Sequence, residues 1–255
     1  MDNRHYLFFD IDGTLAQNDN PPSKAVIDAL RQAGRNKHML FICTARTKCD
    51  IYSSILDIGF DGIISGAGSR IELGSNVLFN AVLETALLTG IVRQMLEQNI
   101  TGILEGVNKI YTVPGERKIP WELTEITAPN QISSDMQIQK FTLHPALYQN
   151  YGIISEPLSK RFDIIPNESG TFVEFISKKH TKETALRHVM SYLGADIKKS
   201  VAFGDGINDL GMLRASGTGI AMGNAHTLAV ESADAVTDTI DHDGVASALL
   251  KLHLI

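Results

Sequence analysis

The chain is poor in cysteine and tryptophan, in long apolar runs and in excess positive charge, and each shortage removes a class of function. There are two cysteines, Cys43 and Cys49, and one tryptophan, Trp121, in 255 residues. Two thiols six residues apart make no disulfide framework and read as buried or bystander side chains. Eight histidines (His5, His38, His144, His180, His188, His226, His242 and His253) show no ligand-like spacing, so zinc is not expected. No apolar run approaches the ~18 residues of a membrane span. Met1–His5 lacks a basic segment followed by an apolar core, so a secretory signal is not expected and a reducing, cytoplasmic location is. The net charge of −6 argues against a nucleic-acid partner, whose phosphates need many cations. A small phosphorylated metabolite stays compatible, because a local metal offsets local charge.

What is present is an ordinary globular balance, 44% hydrophobic and 20% charged. The length suits one large α/β domain with an insertion, or two modest domains. Residues 6–12 read as a buried strand. Ser23, after Pro21 and Pro22, suits the N-cap of a helix carrying Val26, Ile27, Leu30 and Ala33 at helical spacing, with Gly34 as its C-cap. His38–Thr44 is a second strand, apolar nearly throughout, as in a sheet covered on both faces. Thr47–Ile58 is expected as a helix closed by Gly59, and Gly62–Ser65 as a third strand. Strand–helix–strand–helix–strand predicts a doubly wound, Rossmann-like parallel sheet.

The pattern changes after residue 80. A helix over 84–97 precedes strands at Gly102–Val107 and Lys109–Val113, and Gln137–Leu143 alternates polar with apolar. Arg161–Ile165 and Thr171–Ile176 flank a hairpin loop at Pro166–Gly170. Alternation predicts strands with one wet face, hence an α+β module with an antiparallel sheet. Pro114–Asp135 carries no clear pattern. From residue 181 the α/β pattern resumes: a helix capped by Thr181 with Leu186, Val189, Met190 and Leu193 inward, ending at Gly194; a strand and loop at Ser200–Asp205; a helix at Asn208–Ala215; a strand at Gly219–Met222; and a helix at Gly244–Leu252. Residues 1–80 and 181–255 thus predict one core domain, and 81–180 an inserted cap.

Four places in the core put polar groups where apolar strands end, the location of ligand sites in open α/β sheets. They are Asp10 with Asp12; Thr44; Lys182; and Asp205 with Asn208 and Asp209. On an extended strand Asp10 and Asp12 project the same way. Paired carboxylates repel unless a cation sits between them, which suits magnesium with a nucleophile beside it. Read singly, Asp-x-Asp-Gly is a common turn, Thr44 a strand-end hydroxyl and Lys182 a solvated lysine. Finding all four in this order makes coincidence a poor account.

These segments resemble the haloacid dehalogenase-like superfamily of phosphohydrolases. The motifs are Phe8-Phe9-Asp10-Ile11-Asp12-Gly13-Thr14-Leu15, Thr44, Lys182, Gly204-Asp205-Gly206-Ile207-Asn208-Asp209 and Ala221-Met222-Gly223-Asn224-Ala225. The long insertion resembles the α/β cap of the Cof-type branch, which includes sugar-phosphate phosphatases. The resemblance implies Asp10 as the nucleophile that becomes an aspartyl-phosphate. It implies Asp12 as the acid for the leaving alcohol and then the base for water. Lys182 and Thr44 would meet the phosphoryl oxygens, with backbone at Ile11 and Ala45 and the side chain of Asn208. Mg²⁺ would be held by Asp10, Asp205 and the Asp12 backbone carbonyl, with Asp209 in support.

The chain departs from the family pattern in three places. Ala45 follows Thr44 where relatives have glycine. Ser65-Gly66-Ala67-Gly68-Ser69 lacks the asparagine of Ser-Ser-Asn-Gly-Ala. Glu183 follows Lys182 in place of glycine. The cap is expected to act as a lid that excludes water and reads the leaving group. Glu105, Asn108, Lys109, Arg117, Lys118 and Trp121 are its candidate readers, although Trp121 beside Pro120 reads better as packing. The expected activity is a Mg²⁺-dependent phosphatase on small phosphorylated metabolites. A phosphomutase or phosphotransferase of the same superfamily, or a non-catalytic phosphometabolite sensor, are the alternatives.

Overall fold

The computed structural model describes residues 4–17, 20–144, 152–166 and 171–255. The chain opens with β1 (Tyr6–Phe9), α1 (Lys24–Arg35), β2 (Met39–Cys43), α2 (Ser53–Leu56), β3 (Gly62–Ser65), β4 (Arg70–Leu73) and β5 (Asn76–Asn80). It continues with α3 (Thr85–Glu97), β6 (Thr101–Gly106), β7 (Ile110–Val113), β8 (Thr124–Glu125), β9 (Ile138–His144), α4 (Gly152–Leu158), β10 (Phe162–Pro166) and β11 (Val173–Ser177). It ends with α5 (Lys182–Tyr192), β12 (Ser200–Gly204), α6 (Leu210–Ala215), β13 (Thr218–Ala221), α7 (Thr227–Ser232), β14 (Ala235–Val236) and α8 (Gly244–Lys251). Two compact units result. The first comprises Met1–Arg46, Ile51–Asn80 and Thr181–Ile255; the second comprises Thr47–Asp50 and Ala81–His180.

In the first unit the strand order is β14-β13-β12-β1-β2-β3-β4-β5. The strands from β14 to β3 run parallel. From β1 the chain winds outward to β3, and after the insertion it winds the other way from β12 to β14. The reversal falls between β1 and β12, so their carboxyl ends border the crevice where such sheets take ligands. Alternation along β1 sends Phe9 and Phe8 to opposite faces. Phe9 packs with Leu30, Val245 and Leu249, and Phe8 with Leu186, Val189 and Met212. Each ring is fully buried, contributing roughly 2–3 kcal/mol. The α/β core with a parallel sheet is therefore the expected one.

Local chemistry sets the helix ends. Ser23 accepts from the Val26 N–H and Thr181 from the Thr184 N–H, each satisfying a donor that the first turn cannot. Gly34 is not the C-cap of α1. The Asn36 N–H still reaches Gln32, and the left-handed step falls on Lys37 at φ 71°. The expected helix over Thr47–Ile58 is broken. A 3₁₀ turn at Lys48–Asp50 and the four-residue α2 are separated by Tyr52 in extended backbone, which ends any continuous i→i−4 ladder. Strands β4 and β5 were not legible. They form an antiparallel hairpin at the sheet edge, turned at Gly74, in which Ile71 is buried and the other side chains are half-exposed or exposed.

The second unit is a sheet in the order β10-β11-β9-β6-β7-β8, antiparallel except for β7 with β8. One face packs Leu104, Phe141, Leu143 and Phe175 against Leu88, Val92 and Met95 of α3. The polar positions of β9 are not wet. Gln139, Lys140 and Thr142 are buried, and around Lys140 and Thr142 ion pairs and hydrogen bonds take the place of water. The Lys140 ammonium lies 3.2 Å from Glu105 and 2.7 Å from Glu174, and the Thr142 hydroxyl donates to Glu105 at 2.9 Å. Burial pushes the Glu105 carboxyl up. Burial also works against the Lys140 charge, but Glu105 and Glu174 outweigh it and hold the ammonium above its usual range. Trp121, expected to pack, is exposed in the irregular stretch after β7. The strands β10 and β11 pair as expected, while residues 167–170 of their loop lie outside the described residues.

Candidate active site

Asp10 directly follows β1, and its N–H donates to the Phe203 carbonyl of β12 at 3.0 Å. Two residues beyond Phe8, its side chain faces α5 as Phe8 does. Lys182, in the first turn of α5, meets it there. Its ammonium is 2.7 Å from Asp10 Oδ1, 2.6 Å from Asp209 Oδ1 and 3.5 Å from Asn208 Oδ1. The other Asp209 oxygen accepts from the N–H groups of Asp205 (3.0 Å) and Gly206 (2.9 Å). Asp209 therefore ties the lysine to the loop after β12. Lys182, Asp10 and Asp209 are 1%, 5% and 0% exposed, so this network sits in a low dielectric where each charge needs its partner.

Asp10, Asp205 and Asp209 place one oxygen each within 4.8 Å of one another, the one such cluster among the described residues. Burial, with Asp209 adding to it, pushes the Asp205 carboxyl up to about 7. Burial and then Asp209 also raise Asp10 well above the carboxylate range, against the pull of Lys182. Burial opposes the lysine charge, yet Asp10 and Asp209 keep the ammonium protonated. Three carboxylates to one ammonium leave the cluster short of positive charge. Its donors are all oxygens, which suits a hard divalent cation.

The Asp12 side chain takes a different course from Asp10. Strand β1 stops at Phe9, and the Ile11 carbonyl accepts from Thr14, Leu15 and Ala16, so the i, i+2 rule no longer applies to Asp12. Its half-exposed carboxylate takes two bonds from Arg46, from Nε and Nη2, both at 2.8 Å. Next to it, Gly13 at φ +80° leaves room where a Cβ would enter the Asp205 carboxylate. The Thr14 hydroxyl donates to Asp205 Oδ1 at 3.0 Å. Asn224 donates to the Gly13 carbonyl and accepts from the Ile240 N–H, holding this loop against the one before α8.

Thr44 is fully buried at the end of β2, and its hydroxyl oxygen accepts from the Arg46 N–H at 3.1 Å. Its carbonyl accepts from the Ala67 N–H. Ala67 holds φ +55° between two positive-φ glycines, a region that asparagine enters more readily than alanine. Gly68, at φ +106°, is required for another reason: a Cβ there would enter the backbone of Thr181. Glu183 pairs with Arg187 at 3.0 Å, on the surface of α5. Ala45 lies half-buried between Thr44 and Arg46. Arg46 and Asn224 escaped the sequence reading as functional side chains, since a basic residue after a strand and an asparagine in a turn each have ordinary surface roles.

The profile of the haloacid dehalogenase-like hydrolase family matches residues 7–249. The chain is 31% identical over 250 residues to the 5-amino-6-(5-phospho-D-ribitylamino)uracil phosphatase YcsE of Bacillus subtilis, covering 95% of this chain and 93% of that protein. Among solved structures, a hypothetical protein from Geobacillus kaustophilus superposes with TM-score 0.88 at 24% identity, over 99% of this chain and 100% of the other. The subclass IIB sugar phosphatase BT4131 superposes with TM-score 0.83, also at 24%, over 98% and 100%. With the family profile spanning nearly its whole length, the chain belongs to the haloacid dehalogenase-like hydrolases, as a phosphatase of their Cof-type branch.

Proposed function

We propose that the protein is a Mg²⁺-dependent phosphatase of small phosphorylated metabolites, sugar phosphates or close analogues, working through an aspartyl-phosphate on Asp10. The observation that carries this is the Lys182 ammonium seated between Asp10 and Asp209 at 2.7 and 2.6 Å, with Asp205 in the same carboxylate cluster. The names of YcsE and BT4131, a phosphoribityl-uracil phosphatase and a sugar phosphatase, support the substrate class.

In this reading an Asp10 oxygen attacks phosphorus while the P–O ester bond breaks. The bond's electron pair goes to the alcohol oxygen, which takes a proton from Asp12. Water then attacks the phosphoryl group and gives a proton back to Asp12; the bond to Asp10 breaks, and phosphate leaves. Lys182 offsets charge on the phosphoryl oxygens, and Thr44 donates its hydroxyl to one of them. Backbone N–H groups at Ile11 and Ala45 and the Asn208 side chain complete the cradle. Asp10, Asp205 and the Asp12 backbone carbonyl hold Mg²⁺, which when bound supplies positive charge to the phosphoryl oxygens. Asp209 fixes Lys182. Residues 81–180 are assigned the reading of the leaving group, for which Glu105, Asn108, Lys109, Arg117, Lys118 and Trp121 are candidates.

The test is phosphate release from p-nitrophenyl phosphate. Turnover is expected with Mg²⁺ and is lost on chelation; binding of phosphorylated ligands without turnover in saturating Mg²⁺ would sink the reading. A screen of phosphorylated metabolites then names the substrate. Gly13→Ala gives a sharper check on the cation. A methyl group at that φ displaces the Asp205 carboxylate, so the half-saturating Mg²⁺ concentration should rise about 10–100-fold. Unchanged Mg²⁺ dependence in a folded variant would remove Asp205 from the cation site.

A further inference from the structure

We infer that Arg46 is a positioning residue for Asp12, orienting the carboxylate that transfers the leaving-group proton; this rests on the phosphatase reading above. Arg46 donates to both Asp12 oxygens, Nε to Oδ2 and Nη2 to Oδ1, each at 2.8 Å. That is the fork-to-fork geometry in which a planar guanidinium fixes a carboxylate in direction as well as distance. The guanidinium is itself held. It lies over the Tyr52 ring at 4.4 Å, and its side chain is 17% exposed while that of Asp12 is 55% exposed. The more buried partner thus anchors the more exposed one. The Arg46 backbone is fixed in the same place, since its N–H donates to the Thr44 hydroxyl and its carbonyl accepts from Gly66. One residue thereby links the phosphoryl-side hydroxyl to the proton-transferring carboxylate.

The chemistry needs such a device because Asp12 is not on a strand. It sits in the turn after β1, half exposed, and a free carboxylate there would spread over several rotamers. When Asp12 gives its proton to the departing alkoxide, the electron pair of the O–H bond stays on the carboxylate. The guanidinium fork fits that ionised form with both donors. Arg46 therefore acts on the step in which the leaving group needs a proton, and through Asp12 rather than through substrate.

Leaving-group dependence tests this. p-Nitrophenoxide departs without much help, whereas phenoxide needs its proton. In Arg46→Gln, kcat/KM for phenyl phosphate should fall ~10–100-fold, a part of what a positioned acid supplies, while kcat/KM for p-nitrophenyl phosphate changes less than about threefold. Asp12→Asn should lose turnover of both esters, and more of phenyl phosphate, since Asp12 also takes the proton of water; the double variant should be no worse than Asp12→Asn alone, because one residue acts through the other. Arg46→Lys, which keeps the charge without the fork, should show the contrast to a smaller degree and serves if the glutamine variant does not fold. Equal losses on both esters, additive effects with Asp12→Asn, or no change would each overturn the inference. An inactive parent protein, with neither ester cleaved, would instead be a failure of the phosphatase reading.

Discussion

Asp10→Asn is expected to lower phosphate release by at least about 10⁴-fold and to leave the fold intact, because an amide of the same shape lacks the negative charge that makes the carboxylate a nucleophile. The substitution also isolates an electrostatic effect. Asp10 is raised above its ordinary value of 3.8 by burial and by Asp209. A carboxyl raised in the folded state contributes stability that is fully present below that ordinary value and lost as pH rises through the raised one. Asparagine carries no such pH-dependent contribution. In chelator, the variant should therefore melt higher relative to the parent as pH goes from about 4 to 8. Differential scanning calorimetry across that range reads the trend, and p-nitrophenyl phosphate hydrolysis reads the activity. Activity near the parent level would displace Asp10 from the attacking role. A melting difference that shrinks as pH rises would contradict the electrostatics of the cluster.

Lys182→Met is expected to do harm in two measurements at once. The ammonium is the counter-charge to Asp10 and Asp209, and all three residues are at most 5% exposed. Removing one partner from a buried charge network costs about 3–5 kcal/mol. That cost should appear as a lowered urea midpoint in chelator. Millimolar Mg²⁺ should recover part of it, since a ligand that binds only the folded state stabilises it by mass action. Turnover should fall by at least about 10²–10³-fold even with Mg²⁺, because in the proposed mechanism the phosphoryl oxygens lose a fixed positive charge that water replaces poorly. A parent-like urea midpoint in chelator would mean that Lys182 is not the counter-charge that this geometry makes it.

Much of the first unit could be read along the chain because its signals are local. An apolar run bounded by turn residues marks β1, β2 and β12. Ser23 and Thr181 announce helix starts, since a hydroxyl there answers the orphan N–H groups of the first turn. The polar groups at strand ends stand out because buried strands tolerate few of them. Other features had no local signal. The break at Tyr52 replaced a helix that the Thr47–Ile58 pattern allowed. β4 and β5 were hidden by their half-exposed edge position. The alternation in β9 was genuine, but it marked a buried ion-paired face instead of a wet one. An alternating pattern reports that two faces differ, and says nothing of what covers the polar one.

By itself the sequence determined the order of the chemical groups and their place at the ends of buried strands, because an apolar run that stops at a polar group is a local signal; the strand order that sets β1 beside β12 came from the structure. Only the tertiary structure decided which side chains touch. It put Lys182 between Asp10 and Asp209 across 172 and 27 residues of chain, turned Asp12 toward Arg46, and brought Gly13 against Asp205. Charge pairing in a buried site depends on ångström distances between segments far apart in the chain, and no local pattern encodes those distances.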